Sequence, residues 1–130
     1  HWLFVLGFHP LARASCDRWG DGNALLLHLT RENIARALAE GTFVFIGSHG
    51  GKTGLLLREG YIPPEEIAAL PKNPGLKFIY LTSCDSGSKR EEWERALAPA
   101  KVVTYDRLTA VAEHIWWLWV TGPEIVRGMK

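Results

Sequence analysis

Cysteine, net charge and long apolar runs are all scarce in this sequence, and each scarcity excludes a class. Only two of the 130 residues are cysteine, Cys16 and Cys84. A disulfide framework normally uses more cysteines in a smaller secreted chain, so a reducing compartment, the cytoplasm, is expected. Fifteen basic residues stand against 14 acidic ones, a formal charge of +1. With no run of Lys or Arg besides, nothing favours a nucleic-acid partner. The tryptophan-bearing run at residues 115–120 is too short to span a bilayer, so no membrane association is expected. Residues 1–8 are apolar but lack the basic start of a signal peptide and read as a first strand. The chain opens on His1 instead of Met, which suggests that part of a longer parent chain has been trimmed away. His9, His28 and His114 have no metal-ligand spacing with Cys16 or with one another, so neither a metal nor a cofactor is expected.

What remains is a length suited to one domain, residues 1–130, with a single core and no internal repeat or linker. Residues 2–8, 43–47, 78–81 and 101–105 are short apolar runs that read as strands. Residues 13–23 read as a loop. Thr30 caps a helix over 31–40, with Leu29 and Ile34 as a hydrophobic staple and Gly41 as its close. Residues 51–61 look like a hairpin or arm. Pro63 and Pro64 open a short helix to Leu70. Ser88 and Glu91 form a capping box for a helix through Ala98 that buries Trp93, Ala96 and Leu97. From Arg107 the spacing of Leu108, Val111, Ala112, Ile115, Trp116 and Trp119 is helical, until Gly122 and Pro123 stop it. That spacing leaves Trp117 and Leu118 off the main stripe, so the helix reads as buried on two sides or as a contact face. Strands alternating with helices predict an α/β fold with a mostly parallel central sheet and helices on both faces.

Two strands end in chemistry. Phe43, Val44, Phe45 and Ile46 run into Gly47, Ser48, His49, Gly50 and Gly51. Phe78, Ile79, Tyr80 and Leu81 run into Thr82, Ser83, Cys84, Asp85, Ser86 and Gly87. Alone, such a Cys is more often a small buried hydrophobe, and such a His a turn residue. Together, at the carboxyl ends of neighbouring parallel strands, they are the minimum parts of a thiolate nucleophile with its base. Gly50 and Gly51 would let backbone N–H groups approach a substrate carbonyl. Asp85 and Asp106 follow strands at the same edge, and each is a candidate to line a substrate pocket or a plain solvated loop residue.

A strand ending in His-Gly, followed by a later strand ending in Ser-Cys-x-Ser-Gly, resembles the caspase-like cysteine peptidases, most closely their CHAT branch. The resemblance takes in the helices and strands around both motifs and so covers most of the chain. It implies a compact caspase-like three-layer sandwich, Cys84 as nucleophile, His49 as general acid/base, and an oxyanion hole from the backbone N–H groups of Gly50 and Cys84. It also implies cleavage of a protein substrate in regulated prokaryotic proteolysis and leaves room for a regulatory partner protein, since the accompanying sensor or repeat domains are absent. Two departures stand out. The His-to-Cys spacing is short, about 35 against the roughly 50 of caspases. Thr82 stands where metacaspases carry an acidic selector for basic P1 side chains, which leaves Asp85 or Asp106 to favour Arg or Lys at P1.

Two alternatives stay open. Cys84 and Arg90 also fit C-x5-R, the phosphate loop of cysteine-dependent phosphatases, in which loop N–H groups and the Arg hold the phosphate. Asp85 within that loop would repel a phosphate dianion. The second alternative is a catalytically inactive interaction module that uses Trp116, Trp117 and Trp119 as its contact.

Overall fold

The computed structural model of the protein describes residues 3–7, 23–26, 28–48, 50–51, 54–57, 59–82, 90–104 and 111–129. Apolar runs too short for helices form the strands β1 (Leu3–Leu6), β3 (Phe43–Ile46), β7 (Phe78–Leu81) and β8 (Lys101–Val103). A further strand, β2 (Asn23–Leu26), takes in the last residue of the expected loop and three residues for which no element was expected. Its leucines lack the β-branched signature of the other strands, and it gains its conformation from pairing in register along β1. All five run parallel in the order β2-β1-β3-β7-β8. Counting only these strands, the order is 2-1-3-4-5, a doubly wound arrangement that reverses direction between β1 and β3.

Strand alternation sorts the core into two halves. Phe4, Leu6, Val44, Ile46, Ile79 and Leu81 pack with α1 (Arg31–Glu40), α2 (Pro64–Ala68) and α3 (Arg90–Leu97) through Ile34, Leu38, Ile67, Trp93 and Leu97. Leu3, Val5, Phe43, Phe45, Phe78 and Tyr80 pack against a C-terminal helical stretch. The result is three layers, with the parallel sheet in the middle. Across β3 and β7 the paired rings stack: Phe43 on Phe78 at 4.7 Å between centroids, Phe45 on Tyr80 at 4.8 Å. Each such pair contributes roughly 0.5–1.5 kcal/mol beyond its buried area. A slip of one residue would break both stacks and turn both side chains to the wrong face.

Helix α1 forms as its signals predict. The Thr30 hydroxyl accepts the Asn33 N–H at 3.1 Å, and Leu29 and Ile34 are both buried. Gly41 closes it, as expected. Its backbone is extended, its N–H donates to the Ala37 carbonyl at 2.8 Å, and a Cβ there would lie 2.6 Å from that oxygen. Glycine is required at 41 for space. The expected hairpin is a three-stranded antiparallel meander, β4 (Gly50–Gly51), β5 (Gly54–Leu57) and β6 (Gly60–Ile62). Leu55, Leu57 and Ile62 join the core, whereas Leu56 and Tyr61, paired across the strands, are exposed.

The C-terminal stretch departs most from expectation. Helix α4 (Val111–Trp116) passes through a π-helical turn (Trp117–Thr121) into α5 (Gly122–Met129), so Gly122 and Pro123 do not end it. The Gly122 N–H reaches the Trp117 carbonyl, five residues back. A proline in a regular helix removes a donor and presses on the carbonyl four residues earlier. Widening the turn ahead of Pro123 lets the helix continue. The stripe also moves. His114 and Leu118 are buried, Trp117 packs on Phe43, Phe78 and Tyr80, and Trp116 is 66 % exposed. Periodicity misplaced the face because a polar residue, His114, points inward. Its Nδ1 lies 3.0 Å from the Tyr80 hydroxyl, which offsets the cost of burying both groups.

These two placements have opposite consequences for stability. Leu118→Ala is expected to cost about 2–5 kcal/mol in urea unfolding, and Trp116→Ala less than about 0.5 kcal/mol. Comparable losses for the two variants would contradict the packing of this face.

Candidate functional site

The carboxyl edge of the sheet is assembled from the first residues beyond each strand. After β1, Gly7 adopts φ 67°, a left-handed conformation, and a Cβ there would fall 2.4 Å from the Gly47 carbonyl. Only glycine allows that approach. The Gly47 N–H in turn donates to the Leu6 carbonyl at 2.7 Å. After β7, the Thr82 N–H donates to the Ile46 carbonyl at 3.1 Å. The Thr82 hydroxyl, on a residue only 7 % exposed, accepts the Ser48 N–H at 3.2 Å. The Ser48 hydroxyl donates to the Leu56 carbonyl at 2.9 Å, which joins the edge to the meander. The chains leaving β1, β3 and β7 are therefore fastened to one another at their roots.

His49, Cys84, Asp85 and Asp106 lie outside the described residues, as does the Ser88 cap expected for α3. The register leading to the first two is described. Phe43 pairs with Phe78 and Ile46 with Leu81, an offset of 35 residues. The same offset separates His49 from Cys84 in the sequence. In sequence each is thus three positions past the last registered pair of two adjacent strands.

Gly50 is the member of the candidate oxyanion hole whose backbone is described. It pairs with Leu55 and Gly51 pairs with Gly54. The Gly51–Gly54 pair must exchange hydrogen bonds with itself, because the alternative set would join residues 52 and 53, which are consecutive in sequence. Ladder alternation then makes Gly50–Leu55 a non-hydrogen-bonded pair, and the Gly50 N–H points away from β5. Among the described strands β4 is the edge of the small sheet, and the Gly50 N–H lies on its outer side, one residue past His49 in sequence.

The meander is held by charge as well as by its leucines. The Arg31 guanidinium forks onto both carboxylate oxygens of Glu66, at 2.8 and 3.0 Å, and donates to the Tyr61 carbonyl at 3.3 Å. Glu59 lies 3.7 Å from the same guanidinium. The hydrogen bonds from Arg31 hold the Glu66 carboxyl below the usual carboxylate range. A lowered carboxyl contributes stability in full above the ordinary glutamate range and loses it as pH falls through its own. Both side chains are about two-fifths exposed, so water screens the pair and the effect is small.

At the far end of the Cys84 segment, Arg90 opens α3. Its Nε donates to the Thr104 hydroxyl at 3.1 Å and an Nη to the Thr104 carbonyl at 3.3 Å. Thr104 is the first residue past β8 and is 5 % exposed. The segment between Thr82 and Arg90 is thus tied at both ends, to the β3 root and to the β8 root. Sequence reasoning missed these roles. The signal available was a threonine immediately after each of two strands, where a short hydroxyl can bond the neighbouring root.

Compared with protein-family models, with curated proteins and with solved structures, the chain matches none. Among the described residues no helix is long and apolar enough to cross a membrane.

Removing the Glu66 charge tests the ion pair that joins α1 to α2 beside the meander. Glu66→Gln is expected to lose a small amount of stability near neutrality and to converge with wild type at low pH, which flattens the acid limb of the stability–pH curve, as read by thermal unfolding between about pH 3 and pH 7. An unchanged acid limb would remove the pair from the account.

Proposed function

We propose that this chain is a caspase-like cysteine endopeptidase of CHAT type, with Cys84 as nucleophile and His49 as general acid/base. The reading rests on one observation above all: β3 and β7 are adjacent parallel strands whose 35-residue offset equals the His49–Cys84 spacing. The Cys84 thiolate attacks the scissile carbonyl carbon and forms a C–S bond. The carbonyl oxygen takes up the negative charge and is met by the backbone N–H groups of Gly50 and Cys84. Each such donor contributes about 2.7–4 kcal/mol to the transition state. The His49 imidazolium then gives its proton to the leaving amine, the C–N bond breaks, and an acyl-enzyme remains. Water, deprotonated by His49, attacks the thioester, and the carboxylate product leaves with Cys84 restored. Asp85 and Asp106 are the proposed substrate-binding carboxylates, favouring Arg or Lys at P1, where a desolvated ion pair discriminates well. A cytoplasmic role in regulated proteolysis of a partner protein accompanies this reading.

The phosphatase alternative needs the Arg90 guanidinium turned over the loop that begins at Cys84. Two of its nitrogens are instead directed at Thr104, which favours the peptidase.

Cleavage of a peptide library by the purified chain provides the test. Cys84→Ala is expected to abolish turnover, and His49→Ala to lower kcat/KM by about 10²–10⁴-fold. The main products should end in Arg or Lys. Cleavage after Asp would overturn the P1 assignment alone. Turnover of p-nitrophenyl phosphate that survives His49→Ala would replace the peptidase by the phosphatase. A chain inert towards both substrates would be an interaction module.

A further inference from the structure

The Thr82 hydroxyl has a position that the catalytic reading does not use. It sits on the first residue beyond β7, two residues before Cys84. It accepts the backbone N–H of Ser48, which immediately precedes His49. The side chain is almost fully enclosed. A hydroxyl on a buried residue is held in one geometry by its surroundings, and its bond to the half-buried Ser48 N–H is partly sheltered from bulk water. The Thr82 backbone is itself fixed from the other side by donation to the Ile46 carbonyl. One residue therefore bonds β3 twice: its N–H to the last residue of the strand and its hydroxyl to the residue before His49. The sheet ladder ends at Ile46–Leu81, and these two bonds join the segments just beyond it.

We propose that Thr82 is a positioning residue for the Cys84–His49 pair, its hydroxyl fixing the segment that carries the base against the segment that carries the nucleophile. This rests on the peptidase reading above and adds to it a residue that touches neither substrate nor reacting atoms. A thiolate beside an imidazolium is stabilised only while the two stay within a few ångströms. A loosened root costs thiolate character before it costs fold stability. An acidic side chain at this position would select a P1 residue; a threonine turned inward onto Ser48 is a clasp. The Arg90–Thr104 bonds restrain the other end of the same segment, so loss of the Thr82 clasp leaves that end tied. The expected defect is therefore local.

The test reads the thiol without a substrate. In a Cys16→Ser background, Cys84 is alkylated with iodoacetamide across a pH series. Wild type is expected to react as a thiol of lowered pKa, and His49→Ala as an ordinary one. Thr82→Val, which keeps the shape and removes the acceptor, should move the profile towards that of His49→Ala. The alkylation rate at about pH 6.5 should then fall about threefold, since the gain in nucleophilicity partly offsets the loss of thiolate. Thr82→Ser, which keeps the hydroxyl, should restore the wild-type profile. If His49→Ala moves the profile but Thr82→Val does not, the clasp is refuted and the dyad stands. If Thr82→Ser behaves as Thr82→Val, the methyl packing matters and the hydroxyl does not, which also refutes the clasp. If His49→Ala leaves the profile unchanged, the dyad fails and the clasp falls with it. Should Thr82→Val not fold, amide exchange in the unmodified protein decides. The Ser48 N–H is expected to be protected at least about tenfold over its unstructured rate, and exchange at the unstructured rate would overturn the proposal.

Discussion

The stacking of Phe43 on Phe78 and of Phe45 on Tyr80 is the interaction on which the rest of the molecule turns. Parallel strands are joined by evenly spaced hydrogen bonds that do not, by themselves, prefer one register over another. Two stacked ring pairs, covered by Trp117 from the C-terminal helix, do prefer one. They set the offset between β3 and β7 at 35 residues as far as Ile46 and Leu81, the last pair before the carboxyl edge. Activity at that edge would therefore depend on aromatic packing on the opposite, helix-covered face of the sheet.

The edge converts register into restraint through backbone groups and short hydroxyls. Gly7 lets β1 approach Gly47, Thr82 draws the β3 and β7 exits together, and Arg90 joins the start of α3 to the end of β8. Net worth per hydrogen bond is modest, about 0.5–1.5 kcal/mol for a neutral pair. Their value lies in geometry. Segments that leave a sheet are normally its least determined parts, and catalytic groups need to be held far more tightly than stability alone requires.

Much of this was legible in the sequence. Four strand runs, the Thr30 cap, the helix burying Trp93, Ala96 and Leu97, and the parallel α/β class all follow from period and capping chemistry. The sequence was less informative wherever tertiary partners override local signals. Residues 23–26 become a strand because β1 offers an edge. The helix continues through Gly122 and Pro123 because a π turn widens ahead of them. His114 faces the core because Tyr80 provides a partner, and this displaces the apparent apolar stripe by enough to exchange Trp116 for Leu118. At the site, the parallel adjacency of β3 and β7 was readable. The Thr82 and Thr104 bonds were not, because a threonine after a strand has no sequence signature that distinguishes a clasp from an ordinary turn.

The measurement that bears most directly on the central claim is the separation of Cys84 Sγ from the nearer imidazole nitrogen of His49 in a crystal structure of the protein. Continuation of the 35-residue offset past Ile46–Leu81 predicts about 4 Å or less, allowing for the looseness of an unliganded site. A separation beyond about 8 Å, with the two side chains turned to different faces of the sheet, would contradict the shared site and with it the peptidase reading.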